Sequence, residues 1–426
     1  MTSLARAIAR IFYRVDAVGA PPARGPLLLL PNHPNALLDP ALVIATAGRP
    51  VRFLAKSTLF SGAFGPLMRA AGAIPVYRRQ DDSDVKRNAE SFAAVAAALA
   101  RGEAICIFPE GISHSSGMLE PLRTGAARMA LSAAAAGVEV RLVAVGINLE
   151  QKTAFRSRVT IAYGEPMVVL TPATADASTH AVSELTADIS ERMRSLLVEA
   201  EPTQDAALVE RLRRLLESER PAGGREESLD RSRLIAEGLQ RLRRERPEWY
   251  EEALIQLRRY DDRLRRFGLA DGALDFDMSS RAAWRFALRE LPLAVVLVPL
   301  GVVAVTLFAA PYGMTAAAAR LSKDADVTAT MKALGGIGIY GLWISGLSVA
   351  VGLLLGPWAG ASAMVLFPAL AVAGLFAVER EWSAWRTARS WLAVRSAQPT
   401  TTTALKRRRG ELAGVLEQVY QWMQEK

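Results

Sequence analysis

Residues 335–378 carry no charged side chain, and nothing else in the sequence restricts the fold as strongly. A helix crosses the hydrocarbon of a bilayer in about twenty apolar residues, so this run is long enough for two passages. Gly356-Pro357-Trp358-Ala359-Gly360 divides it near the middle, which predicts a tight helical hairpin. A second uncharged stretch, residues 291–310, is also of spanning length, with Pro299 inside it and Pro311 just beyond. Buried soluble helices are the alternative, but uncharged runs this long seldom occur in soluble domains.

Flanking charge speaks to orientation. Arg281, Arg285 and Arg289 precede the first stretch, and Arg380, Arg386, Arg389, Arg395 and residues 406–409 follow the last. By the positive-inside rule both flanks, and with them the domain upstream, are expected on the cytoplasmic face of an integral membrane protein. Three crossings cannot satisfy that. Either the Pro-containing segment dips in and returns, or residues 312–321 help it to cross again.

Of the whole chain, 51% is hydrophobic and 22% charged, so the two kinds must be segregated. The net charge of +9 suits nucleic acid or an anionic lipid surface. The long uncharged runs favour membrane lipids, and no nucleic-acid partner is expected. Cys106 is the only cysteine, which excludes an intrachain disulfide framework and a cysteine-based metal cluster. No metal is expected.

The first fourteen residues set Leu4, Ile8, Ile11 and Phe12 at helical spacing among Arg6, Arg10 and Arg14. No apolar h-region with a small-residue cleavage site follows, so a cleaved signal peptide is not expected. Such a helix lies on a membrane surface or packs on the domain.

From residue 25 the pattern turns α/β. Short apolar runs at 26–30, 51–55, 73–77, 104–108, 141–147 and 159–163 are bounded by Gly, Pro or charge and read as strands. Helix-length segments lie between most of them, at 82–100, 122–136 and 176–199. This alternation predicts a central, mostly parallel sheet flanked by helices. Residues 201–285 are dense in Arg and Glu among leucines at intervals of three and four, broken at 221–224 and near Pro247. They read as a charged helical insert with a solvated face. The domain reading is an N-terminal interfacial helix and linker (1–24), an α/β domain (25–200), the helical insert (201–285), a transmembrane helical region (286–380) and a basic tail with an amphipathic helix (381–426).

The chemistry-bearing residues fall at strand ends, where ligands gather in open α/β sheets. Pro31-Asn32-His33-Pro34-Asn35-Ala36-Leu37-Leu38-Asp39-Pro40 follows the first apolar run and holds the first of only three histidines. A histidine with a nearby carboxylate is the simplest form of a general base and its orienting group. On one helix, residues six apart are separated by about 9 Å of rise and face different ways. A dyad therefore needs His33 on the lead-in and a chain that doubles back at Asp39. Taken alone, the segment also reads as a capped loop. A second cluster, Phe108-Pro109-Glu110-Gly111-Ile112-Ser113-His114-Ser115, follows another strand. Between the two, the run from Gly72 ends at Arg78 and Arg79, whose planar forks suit phosphate.

In order and spacing these blocks resemble the glycerol-3-phosphate and lysophosphatidate acyltransferase superfamily. Asn32, His33 and Asp39 match its first block, Gly72 to Arg78 its second, Phe108 to Gly111 its third, and the apolar strand from Leu142 to Gly146 its fourth. The resemblance covers about residues 20–170. Five residues separate His33 from Asp39 where most members have four, and Ile112-Ser113-His114 replaces the usual Thr-Arg or Thr-Ser. Both features look like the fungal glycerol-3-phosphate/dihydroxyacetone-phosphate acyltransferase branch, whose Leu-x-Pro-Leu-basic-x-Gly segment Leu119, Pro121, Leu122, Arg123 and Gly125 approximate.

The resemblance implies an α/β acyltransferase domain and a membrane-bound O-acyltransferase acting on glycerol 3-phosphate or 1-acylglycerol 3-phosphate. His33 and Asp39 are the implied catalytic pair. Arg78, Arg79, Glu110, Gly111, Ser113 and Arg123 are the implied phosphate-site residues. No bound cofactor is implied; the donor is an acyl-CoA or acyl-carrier-protein thioester. A non-catalytic lipid-binding scaffold that kept the fold is the competing expectation, and a serine hydrolase lacks its Gly-x-Ser-x-Gly elbow.

Overall fold

A computed structural model of the chain describes residues 2–36, 38–61, 65–77, 85–114, 116–170, 177–200, 205–320 and 325–424. They fold as two units, one drawn from residues 1–208, 224–236 and 324–330, the other from 209–223, 237–323 and 331–426.

The first unit is built on one sheet. In chain order it holds α1 (Thr2–Phe12), β1 (Arg14–Val18), β2 (Leu27–Pro31), α2 (Leu38–Thr46), β3 (Val51–Lys56), α3 (Thr58–Ser61), α4 (Gly65–Ala70) and β4 (Ile74–Val76). It continues with α5 (Val85–Ala100), β5 (Ala104–Cys106), α6 (Gly125–Ala135), β6 (Arg141–Leu149), β7 (Arg158–Tyr163), β8 (Met167–Val168) and α7 (Ala177–Arg194). The strand order is β1-β7-β6-β2-β5-β3-β4, with β8 pairing on β6. From β6 to β4 all neighbours are parallel, whereas β7 and β8 run antiparallel to β6. The sheet is thus mostly parallel and flanked by helices, as the alternation predicts.

Strand β2 lies between β5 and β6 and is buried along its whole length. Its uninterrupted leucines follow from that place, since a central parallel strand is covered on both faces. On one face Leu28 and Leu30 pack with Ile105, Leu142, Ala130 and Met193.

Two strands were not legible in the sequence. Residues 14–18, read as linker, form β1 and pair with β7 in the register Arg14↔Arg158 to Val18↔Ala162. An edge strand is only half covered and needs no continuous apolar run, and its partner is remote in sequence. The other is the two-residue β8. Helix α1 packs on α2, with Ala9 and Phe12 buried, while Leu4 remains exposed.

Beyond α7 the chain is helical: α8 (Asp205–Glu219), α9 (Arg225–Glu245), α10 (Pro247–Phe267), a 3-10 turn (Asp271–Asp275), α11 (Ser280–Ala319), α12 (Ala325–Leu355), α13 (Pro357–Ser396) and α14 (Pro399–Gln424). The breaks fall at 220–224 and at Pro247, as expected. Within α11, α12 and α13, three helices are long and apolar enough to cross a membrane. Gly356, with φ of 96°, makes the turn between α12 and α13, a conformation that glycine adopts without steric cost.

Helix α11 shows no break at its prolines. It runs unbroken through Pro292, Pro299 and Pro311, because an apolar helix that packs on its neighbours tolerates internal proline. Its partner α13 lies antiparallel to it. A Cβ on Gly374 would overlap Ala304, one on Gly301 would press on Val378, and Arg380 meets Glu290 at 2.5 Å. The start of α11 and the end of the apolar part of α13 are therefore side by side. Helix α12 touches α11 through Trp343, whose Nε1–H donates to the Leu307 carbonyl at 2.9 Å.

Candidate active site

The chain leaves β2 at Pro31, and the first side chain beyond it extends the sheet. The amide of Asn32 accepts from Ile147 N–H at 2.7 Å and donates to Ile147 O at 3.2 Å. It takes the place of one more ladder rung against β6. This fixes the backbone direction at His33, the next residue.

The chain then doubles back as the six-residue spacing requires. Asp39 lies in the first turn of α2, and its Oδ2 accepts from His33 Nδ1 at 2.8 Å and from Asn35 N–H at 2.7 Å. The first-turn carboxylate thus reaches back to a main-chain N–H ahead of the helix and ties the lead-in to it. Ala36 makes the bend with φ of +43°, and its N–H donates to Ser113 Oγ at 3.0 Å. The residue that lengthens the spacing is thus absorbed by a left-handed kink pinned from the second motif.

Asp39 is fully buried, and that burial raises its pKa above the usual carboxylate value, with the bonds to His33 and Asn35 acting in the opposite sense. Its Oδ1 has no hydrogen-bond partner among the described residues. Asn35, also fully buried, donates to Tyr13 Oη at 2.6 Å, and Tyr13 Oη in turn donates to Lys152 O. The His33 ring stacks on Phe108 with centroids 4.0 Å apart and planes at 19°. With Nδ1 donating to Asp39, Nε2 is the ring nitrogen left to act as a base, on a side chain that is 18% exposed.

The second motif holds the first by its main chain. His33 N–H donates to Glu110 Oε1 at 2.7 Å, and His33 O accepts from His114 N–H at 3.2 Å. Glu110 is buried, and its Oε2 takes Glu120 N–H at 3.0 Å and His114 Nε2. Both oxygens of this carboxylate are engaged inside the protein, so it shapes the site from beneath. Gly111, with φ of +73°, sits where a Cβ would lie 3.2 Å from Arg123 Cγ, and Arg123 N–H donates to Pro109 O at 2.7 Å. The exposed Arg123 side chain is thereby brought to the Phe-Pro-Glu-Gly turn.

His33, Asp39, Glu110, Gly111, Ser113 and Arg123 thus gather at one rim, the carboxyl end of the parallel strands. Arg78 and Arg79 lie outside the described residues. Sequence reasoning missed Tyr13, Asn35 and Lys152. Lys152 Nζ donates to His114 O at 3.0 Å and its charge acts on Asp39. Only Asn35 carried a local signal, its place between the histidine and the aspartate.

Residues 14–148 match the Acyltransferase family model. That stretch is an acyltransferase-superfamily domain. The domain is similar to glycerol-3-phosphate O-acyltransferase 2 of Saccharomyces cerevisiae, 42% identical over 84 residues, which are 19% of this chain and 11% of the yeast protein. It is also similar to glycerol-3-phosphate O-acyltransferase 1 of the same yeast, 34% identical over 124 residues, 28% of this chain and 16% of that one. The chain thus spans a small part of both relatives. The 1-acyl-sn-glycerophosphate acyltransferase PlsC of Thermotoga maritima aligns at 17% identity over 45% of this chain and 78% of that one, with a TM-score of 0.32. The similarity of the acyltransferase domain to two fungal proteins accords with the longer His33–Asp39 spacing and the Ser113-His114 pair.

Proposed function

We propose that this chain is a membrane-bound glycerophospholipid O-acyltransferase. It moves an acyl chain from a CoA or acyl-carrier-protein thioester to a hydroxyl of glycerol 3-phosphate or 1-acylglycerol 3-phosphate. The observation that carries the reading is the 2.8 Å bond from His33 Nδ1 to a fully buried Asp39, which leaves Nε2 as the ring nitrogen for the role of base.

In this reading Nε2 takes the proton of the acceptor hydroxyl while its oxygen attacks the thioester carbonyl carbon. The tetrahedral adduct collapses to the ester, the carbon–sulfur bond breaks, and the thiolate takes the proton back from the imidazolium. No acyl-enzyme forms. Asp39 holds the tautomer and stabilises the imidazolium, as does the Phe108 ring beneath it, since an aromatic face attracts a cation. Arg123, with Arg78 and Arg79, meets the acceptor phosphate; the Gly111 turn and Ser113 shape its site. The three apolar helices hold the enzyme where donor chain and product reside, with the catalytic domain on the cytoplasmic face.

The test is thioester-dependent acylation of an acceptor panel by the full chain in lipid. Turnover of glycerol 3-phosphate or 1-acylglycerol 3-phosphate is expected, with a loss of about a hundred to ten thousand-fold in His33→Ala. Equal activity in both proteins removes His33 from the mechanism, and lipid binding with no turnover of any acceptor replaces the enzyme by a scaffold.

A further inference from the structure

Helices α10 and α14 of the second unit border an open cleft of about 240 Å³ lined by Arg259, Arg263, Arg407, Arg408, Tyr260 and Glu411. Four guanidiniums face one carboxylate there, an excess of three positive charges.

The neighbouring carboxylates are already engaged. Arg211 takes Asp261 at 2.5 Å and Asp271 at 2.8 Å. Arg409 takes Asp275 at 2.7 Å and also Glu219, and Asp262 pairs with Arg265 at 2.7 Å. Tyr260 Oη donates to Asp271 at 2.8 Å. Glu411 serves Arg408 at 2.7 Å and reaches Arg407 only at 3.7 Å. Arg259 and Arg263 have neither an ion pair nor a hydrogen bond among the described residues. They stand four apart on α10, so they share one helix face, where like charges repel. Arginines set together around a hollow with a single counter-charge among four form a receptor for a planar or tetrahedral oxyanion, which guanidinium forks bind bidentately.

We propose that this cleft binds a phosphate-bearing ligand with more than one negative charge, such as a phosphomonoester or a pyrophosphate. Arg259 and Arg263 hold it from α10, and Arg407 and Arg408 close on it from α14. The same chemistry is offered by a soluble phosphate compound and by a phosphomonoester lipid headgroup. This site is separate from the proposed acyl transfer and does not depend on it.

The test uses the full chain in phosphatidylcholine nanodiscs, titrated calorimetrically with inorganic pyrophosphate at about 0.15 M salt. Binding is expected, weakened at least about tenfold in the Arg259→Ala/Arg263→Ala double variant, since each removes charge-assisted hydrogen bonds. The Arg258→Ala/Arg266→Ala double variant loses the same charge from the same helix, outside the cleft lining, and is expected to keep its affinity. No binding by the wild type, an undiminished affinity in Arg259→Ala/Arg263→Ala, or equal weakening in both doubles overturns the site. Repeating the titration with phosphatidate in the nanodiscs separates the sources. Competition by phosphatidate identifies a lipid headgroup, and an unchanged affinity identifies a soluble ligand.

Discussion

The main-chain N–H of His33 is held by Glu110 Oε1 at 2.7 Å, across seventy-seven residues of sequence. The glutamate of the second motif is therefore the peg on which the histidine of the first is hung. Its other oxygen takes two more donors, so no part of the carboxylate is spare.

Glu110→Gln tests the peg. A glutamine amide keeps one acceptor oxygen and turns an NH₂ toward a buried donor, which costs roughly 1–3 kcal/mol. The expected result is a folded protein with a lower melting temperature and a reduced kcat, measured at a temperature where both proteins are folded. An unchanged melting temperature would falsify the assignment.

Asp39→Asn separates chemistry from stability. Burial raises the folded-state pKa of Asp39, whereas the unfolded chain has the ordinary value of about 4. Between those two values the folded state binds more protons than the unfolded one. Wild-type stability therefore falls as pH rises through that window and stays lower above it. The asparagine variant lacks this loss. Its melting temperature relative to wild type is expected to climb from pH 4 upward, while activity drops by roughly a hundred to ten thousand-fold. A melting difference that stays constant with pH would mean that the buried carboxyl of Asp39 does not titrate above its ordinary range.

Ala36 and Ser113 form the third case. A left-handed alanine costs roughly 1–2 kcal/mol, part of which Ala36→Gly recovers after the extra chain entropy of glycine of about 0.5–1 kcal/mol. The expected gain is a few tenths to about 1 kcal/mol with activity retained. Ser113→Ala frees the Ala36 N–H and is expected to lose about 1 kcal/mol and to lower kcat. Denaturant midpoints read both, and destabilisation by Ala36→Gly refutes the kink.

The antiparallel packing of α11 on α13 has a consequence for topology. Cysteines introduced at Ser280 and Ser396 are expected to react from the same side of sealed vesicles with a membrane-impermeant maleimide. The single native cysteine, Cys106, is buried in β5 and serves as the silent background. Labelling from opposite sides rules out the α11–α13 pairing in the bilayer.

Much of this was legible in local pattern. The leucines of β2 announced a strand, the position of His33 just after it announced a rim, and simple helix geometry required the doubling back at Asp39. What stayed hidden depends on partners far apart in the chain. Tyr13 is joined to Asn35 across twenty-two residues, and β1 is held in place only beside β7. Glu110 could be recognised as part of a motif, but not as a ligand for main-chain N–H groups, because nothing in a sequence says which way a carboxylate faces. In α11 the prolines suggested a break that helix packing overrides.

The burial of β2 sets how the site fails. Its amides lie between two parallel neighbours, so their hydrogen exchange is expected to require opening of the sheet. His33 begins two residues after that strand and is tied to β6 through Asn32. Heat inactivation and loss of the domain's fold are consequently expected to coincide, with the imidazole in place for as long as those protons are retained.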